Sequence, residues 1–394
     1  MPKIARQEYD RYYNSGFQSN NVEDFTKTYQ SRHQAPNYKA TKRIRPKAKK
    51  KSFKQLFITL SILAVFLGVI MPYSFKNVTK AIFNPAPYKQ IQTDLQELAT
   101  PTLNYISNSW FLGKRLFSFS NSEKNSEMEM LKENVNMPVL EQQLKELGAM
   151  YTTVKPSVFV WDYDTQNYVN INASEIYATA SIIKIPVLIE LFKSIEAGEV
   201  SIDETMPLTE VYRTEGSGSM QFRAENSQYT IDELARRMIT ESDNSATNML
   251  IARVGSMTDV NQAIRNWGLK NTQLHNWLPD YNGTNITTAK EMATMLYNID
   301  ENNKFLSEDS RTKILNYMGH VHNNRLIHAG LGAGAVFLHK TGDIGSMLGD
   351  AGIVITPQGK KYIVVILANR PHNSIAGKDY IVKASEIIYN YMVK

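Results

Sequence analysis

Residues 178–186 read ATASIIKIP and run on into VLIELFKSI over 187–195. The apolar run has the pattern of a buried helix, yet it places a hydroxyl at Ser181 and an amine at Lys184, one turn apart on one face. A serine hydroxyl is a poor nucleophile until a base takes its proton. An amine can be that base only where burial or neighbouring charge lowers its pKa. Ser-x-x-Lys at the start of an apolar helix supplies both parts, and the helix N-terminus adds a positive end that favours developing negative charge. Taken alone the pattern is cheap: Ser310 and Lys313 repeat it in DSRTK, where the polar surroundings predict a solvated helix start.

Two further stretches keep Ser181 company. ESDNSATNML (241–250) holds Ser242, Asp243 and Asn244, and LHKTGDIG (338–345) holds Lys340, Thr341 and Gly342 at the close of an apolar strand. Singly, each has a bland reading: Asp243 as a structural hydrogen-bonding residue, Asn244 as a helix cap, Lys340 as an ordinary strand-end lysine. Together, Ser-x-x-Lys, Ser-Asp-Asn and Lys-Thr-Gly are the motif set of class A β-lactamases and penicillin-binding proteins. Here they occur in that order, with Ser242 61 residues and Lys340 159 residues after Ser181.

On these residues, 137–394 resembles a class A β-lactamase-related serine hydrolase of the penicillin-recognising superfamily. YTIDELARRMITESDNSATNMLI and TTAKEMATML are also similar to family segments. The resemblance implies that Ser181 attacks a carbonyl and becomes acylated, with Lys184 as proton acceptor or relay. Ser242 passes a proton to the departing nitrogen. Asn244 holds the substrate's side-chain amide and helps position Lys184, while Lys340 and Thr341 hold its carboxylate. Gly342 lets the substrate backbone lie against the strand edge, and the backbone N–H groups of Ser181 and Asp343 form the oxyanion hole.

Departures from the family matter as much. Class A β-lactamases carry a deacylating glutamate between Ser-Asp-Asn and the Thr-Thr-Ala helix, whereas WGLKNTQLHNWLPDYNGTNITT (267–288) contains none and has Asp280 as its sole carboxylate. Asp343 stands where secreted β-lactamases generally have a small residue, and an acid there disfavours a β-lactam carboxylate. RTEGSGSMQF (213–222) is a Gly/Ser loop that could close over the site, with Glu215 as a speculative alternative base. The expected chemistry is acylation by a β-lactam or a cell-wall peptide or ester without efficient hydrolysis of the antibiotic. Two other readings stay open: a β-lactamase with an unrecognised base, and a non-catalytic membrane protein that binds peptidoglycan or a partner.

Periodicity predicts the fold independently. PVLEQQLKELGAM reads as a helix, and SVFVWDYD and YVNINA as strands. The middle is mostly helical, and AVFLHKT, AGIVIT and KYIVVILAN precede a closing helix. Strands at both ends around a helical middle predict an α+β domain, with one antiparallel sheet built from both termini and a helical insertion.

Upstream, residues 1–54 carry 14 Lys+Arg against 4 Asp+Glu, so the chain's net charge of +6 comes from this tail and the remainder is net acidic. Leu56–Phe75 are 20 residues without a charge, about the length that spans a bilayer. We therefore expect a basic cytoplasmic tail (1–54), one transmembrane helix (55–75), a stalk (76–136) and an extracytoplasmic domain (137–394). The topological role of juxtamembrane lysines makes nucleic acid the weaker partner. The absence of cysteine excludes disulfides and thiol catalysis, and no metal or cofactor is implied, since His320, His322 and His328 lie close in sequence without an acidic partner.

Overall fold

The computed structural model describes residues 128–394. The tail, the apolar 55–75 stretch and most of the stalk lie outside these residues. Among the described residues no helix is long and apolar enough to cross a membrane. Residues 128–136, which the sequence placed in the stalk, belong to the folded domain: Met128 is buried, and the indole of Trp161 donates to the Lys132 carbonyl at 2.8 Å. The boundary moves because Met128 and Leu131 join the core, while Met130 and Val135 in the same stretch stay exposed.

Helix α1 (Pro138–Met150) opens on a proline, whose missing N–H costs nothing at a first turn, and buries Leu140, Leu144 and Leu147 along one stripe. Strand β1 (Lys155–Asp162) turns into β2 (Tyr168–Ile171), and the short β3 (Tyr177–Ala178) follows. Next come a 3₁₀ turn (Ala180–Ile183) and α2 (Lys184–Glu196), apolar on nearly every side and sunk in the core. The helical lobe continues through β4 (Thr205–Pro207), β5 (Gln228–Thr230), α3 (Ile231–Thr240), α4 (Asn244–Arg253) and α5 (Met257–Asn266). It ends with β6 (Ile286–Thr287), α6 (Ala289–Asp300) and α7 (Glu308–Met318). Strands β7 (Val336–Asp343), β8 (Met347–Ile355) and β9 (Lys361–Asn369) and helix α8 (Ile375–Met392) complete the domain.

The main sheet has the order β2-β1-β9-β8-β7 and every pairing in it is antiparallel. β1 from the start of the domain thus pairs with β9 from its end, as the pattern predicted. The pleat divides β9 cleanly: Tyr362, Val364, Ile366 and Ala368 face α1 and α8, while Ile363, Val365 and Leu367 face the helical lobe. β7 is left as the edge strand, alongside the turn that carries Ser181.

Local signals start the helices of the lobe. Thr230, Asp243, Ser256, Thr288 and Ser307 each accept the N–H two or three positions into the helix they cap. Ser310 and Lys313 sit on α7, where Ser307 is the cap. Ser310 is buried, which departs from the solvated start expected of it, and Lys313 pairs with Asp232. The Ser310 hydroxyl accepts from Ser307 Oγ at 3.0 Å rather than from an amine.

Candidate active site

Ser181 lies inside the 3₁₀ turn and Lys184 begins α2, so the switch from 3₁₀ to α winding sets the two side chains together. Ala180, just before Ser181, has φ +44°, a left-handed conformation that a non-glycine residue holds only at a cost. Lys184 is wholly buried, with Nζ 3.0 Å from Ser181 Oγ. It donates to the Ser242 carbonyl at 2.6 Å and to Asn244 Oδ1 at 2.9 Å, and lies 3.1 Å from Ser242 Oγ. A neutral amine has two N–H groups and one lone pair. The carbonyl and the amide oxygen take the two donors, leaving the lone pair for a serine proton.

Burial pushes the Lys184 pKa well below the usual lysine range, the Lys340 charge pushes it further, and Asp243 opposes both. Desolvation thus favours the neutral amine at this position.

The link between α3 and α4 delivers Ser242 and Asn244. Ser242 has φ +57°, so the chain bends sharply and presents both its hydroxyl and its carbonyl to Lys184. Asp243, not Asn244, caps α4, accepting from Ala246 N at 2.9 Å, while its second oxygen accepts Met220 N at 2.8 Å. Asp243 is thus structural, as read from sequence. Asn244 is free for the site: Oδ1 to Lys184, Nδ2 donating to the Glu215 carbonyl at 3.1 Å.

The loop 213–222 is stitched to this corner, because Asn244 N also donates to Ser217 O. Gly218, at φ +97°, passes so close to Asp243 that a Cβ would collide with its carboxylate and backbone. Glu215 is exposed.

Lys340 arrives from β7, wholly buried, donating to Ser242 Oγ at 3.0 Å and to the Thr341 carbonyl at 2.9 Å. Burial lowers its pKa to about 7, with Asp350 opposing. Behind it, His339 and Asp350 form a buried pair at 2.8 Å, and Asp350 also accepts Ile327 N. Gly342 has a packing role that the sequence did not suggest. A Cβ there would come within 2.7 Å of the Thr179 carbonyl and 3.0 Å of Ile182 Cγ1, so the glycine lets β7 press against the turn that carries Ser181.

Gly342→Ala is accordingly expected to push strand and turn apart. Overpacking of this kind costs about 1–3 kcal/mol, and a thermal melt read beside the acylation rate would show both falling together.

Ser181, Ser242, Lys340, Thr341, Gly342 and Asp343 line one cleft of about 390 Å³, together with the loop 217–219, Glu241 and the exposed His322. All eight residues singled out from sequence therefore converge: six line the cleft, and Lys184 and Asn244 complete the bonded network beneath it. The sequence did not reveal Arg370, whose Nη2 donates to Asp343 Oδ1 at 2.6 Å. Nor did it reveal Asn248, which holds the Leu278 backbone by donating to its carbonyl at 2.8 Å and accepting its N–H at 3.0 Å. Asn248 follows Asn244 by one helical turn, the only signal that could have pointed to it. Asp280 is buried and accepts from Thr284 Oγ1 at 2.9 Å and Asn285 N at 2.6 Å, organising its own loop.

A buried amine against a serine hydroxyl, with a second serine bridging to a second lysine, defines a serine hydrolase of the acyl-enzyme kind. Comparison with known proteins gives the family. The family model described as "Beta-lactamase enzyme family" matches residues 138–392, and the chain belongs to that family.

Among curated relatives, the extended-spectrum β-lactamase PER-1 of Pseudomonas aeruginosa is 23% identical over 305 residues, covering 71% of this chain and 92% of its own length. β-Lactamase ROB-1 of Haemophilus influenzae is 25% identical over 256 residues, covering 61% and 80%. Among solved structures, PBP-A superposes with a TM-score of 0.64 at 35% identity, over 66% of this chain and 98% of its own. An ancestral class A β-lactamase gives 0.60 at 21% identity over 64% and 99%, a likeness of fold.

Proposed function

We propose that this chain is a membrane-anchored serine hydrolase that forms an acyl-enzyme with a β-lactam or a cell-wall-derived peptide or ester and lacks an efficient deacylating base. Ser181 is the nucleophile, Lys184 takes its proton, and Ser242 returns a proton to the departing atom. Lys340 and Thr341 meet the departing half, and Asn244 meets the acyl side. The backbone N–H groups of Ser181 and Asp343 receive the oxyanion, each such donor being worth about 3 kcal/mol.

The observation that carries the reading is the interval 267–288. It has no glutamate, and its single carboxylate is buried and already hydrogen-bonded to its own loop. Without a base for the deacylating water, that step forgoes about 10²- to 10⁴-fold. Kinship with PBP-A supports acylation, since a leucine-to-glutamate mutant of that protein is known as an acyl-enzyme complex with penicillin G. Anchoring rests on the uncharged Leu56–Phe75 run behind a basic flank, with the N-terminus cytoplasmic and the catalytic domain extracytoplasmic.

Incubating the full chain in detergent with penicillin G and following intact mass tests this. A persistent adduct on Ser181 is the expected result. Rapid loss of the drug without an adduct would instead favour the second reading, true β-lactamase activity, to which the names of PER-1 and ROB-1 lend support.

Leu278 offers a gain-of-function test. Its backbone is clamped by Asn248, one turn along α4 from the Asn244 that holds Lys184, and a Cβ added at Gly216 would meet both Asn244 Nδ2, at 2.8 Å, and Pro279, at 3.8 Å. Leu278→Glu is expected to shorten the adduct's lifetime by about 10²-fold, the lower end of what a general base contributes. An unchanged lifetime in a variant that still melts cooperatively would show that the missing base is not what limits turnover.

A further inference from the structure

Asp343 stands on the edge strand two residues beyond Thr341, on the same face, so the two are roughly 7 Å apart along β7. It is 53% exposed and lines the cleft. Its Oδ1 accepts from Arg370 Nη2 at 2.6 Å and from Gly345 N at 2.8 Å. Oδ2 takes neither bond.

Arg370 follows β9 and is only 6% exposed, and its remaining nitrogens donate to the carbonyls of Gly345 at 2.9 Å and Ser374 at 3.1 Å. The cation is therefore fixed behind and the carboxylate stands forward. What the cleft meets is the negative end of the pair.

This end of the cleft receives the departing half of a substrate. Lys340 Nζ donates both to Ser242 Oγ, the group placed to return a proton to the departing atom, and to the Thr341 carbonyl. Thr341 and Asp343 extend from there. Arg370 offsets the acid at Oδ1 from behind and Lys340 lies buried beneath the Thr341 end of the cleft, so the group that a departing half meets beyond Thr341 is the forward Oδ2. A carboxylate bound at Thr341 thus lies near a half-exposed anion.

We propose that Asp343, backed by Arg370, selects substrates by the charge of their departing half, disfavouring a carboxylate there and taking a positively charged group such as an amine-bearing peptide. The inference rests on the acylation reading above and names the substrate class for that site. In the step concerned, Ser181 Oγ bonds to the substrate carbonyl carbon while its proton passes to Lys184 Nζ. The bond to the departing atom then breaks with its electron pair, and that atom takes a proton through Ser242.

Three thioesters of one N-acyl-D-alanine test it with the full chain. Their departing thiols are thiocholine (cationic), its uncharged isostere 3,3-dimethylbutanethiol, and mercaptoacetate (anionic). Acylation of Ser181 is read by intact mass against time. Because the three thiols differ as leaving groups, each rate is divided by that ester's rate of hydrolysis by hydroxide. On that scale wild-type protein is expected to react with the cationic ester roughly tenfold or more faster than with the anionic one, the neutral ester falling between. Asp343→Asn, of equal size, is expected to bring the three normalised rates to within about twofold. Should that variant fail to fold, the wild-type order of normalised rates decides. Equal normalised wild-type rates, or a faster anionic ester, overturn the proposal while leaving Ser181 acylation standing. No adduct from any thioester or from penicillin G overturns the acylation reading, and this one with it.

Discussion

Ser181→Ala is expected to abolish covalent labelling by penicillin and to reduce any turnover of it by about 10⁴-fold or more, the range typical when a nucleophile that acts as a unit with its base is removed. The expectation follows from the geometry around one atom. Lys184 Nζ, 3.0 Å from Ser181 Oγ, can reach another hydroxyl only at Ser242, and Ser242 is already engaged by Lys340. No second hydroxyl stands ready as a substitute nucleophile among the groups bonded to that amine.

Stability should hardly change. The substitution removes one oxygen from a partly buried position, while Lys184 keeps the Ser242 carbonyl and Asn244 Oδ1 as acceptors. Losing a neutral hydrogen bond of this kind costs about 1 kcal/mol. Intact mass after incubation with penicillin, read beside a melting curve, separates the catalytic reading from a binding-only protein. In a binding-only protein, ligand affinity would survive the substitution and no adduct would exist to lose. A variant that still forms the adduct would move the nucleophile elsewhere and undo the assignment of the whole cleft.

The parts of this site that were legible in the sequence are those whose chemistry is written locally. Ser181 and Lys184 are one turn apart, Ser242 and Asn244 flank a cap, and Lys340-Thr341-Gly342 ends an apolar strand. Their convergence was legible only because three such pieces occurred in a familiar order. The sheet could be foreseen because β1 and the β7–β9 run both carry strand patterning.

What stayed hidden depends on contacts between distant segments. Arg370 reaches Asp343 across 27 residues, and Asn248 reaches Leu278 across 30, with no periodicity to announce either bond. Gly342 was read as making room for substrate, whereas the nearest atoms to its missing Cβ belong to Thr179 and Ile182, a contact that exists only once β7 docks. The left-handed backbone at Ala180 and Ser242 was equally invisible, since neither residue type favours it. Both sit where the side chains of the site must be aimed, which is where strain of order 1–3 kcal/mol is commonly retained.

Lys184→Met tests the base itself. The substitution preserves length and apolar bulk in a wholly buried site, so loss of function cannot be attributed to a large cavity. Two acceptors, the Ser242 carbonyl and Asn244 Oδ1, lose their donor. An unsatisfied buried group costs about 1–3 kcal/mol, in part offset because a desolvated amine goes with it. Acylation should fall by about 10²- to 10⁴-fold, the contribution of a positioned general base.

The pH profile carries the sharper signature. As the proposed base, Lys184 must be neutral to accept a proton, so wild-type acylation is expected to rise with pH through its lowered pKa. On the proposed mechanism Lys340 serves as a cation that donates to Ser242, so the rate is expected to fall as pH climbs past about 7. Burial lowers both lysines, and the Lys340 charge lowers Lys184 further, so the pair favours a neutral base beside a charged partner. Lys184→Met should erase the acid limb of the profile, leaving the decline above about 7 in whatever rate remains. If the variant kept a rising limb of unchanged midpoint, the proton acceptor would have to be some group other than Lys184. The burial of this lysine in an apolar helix would then lack a chemical reason.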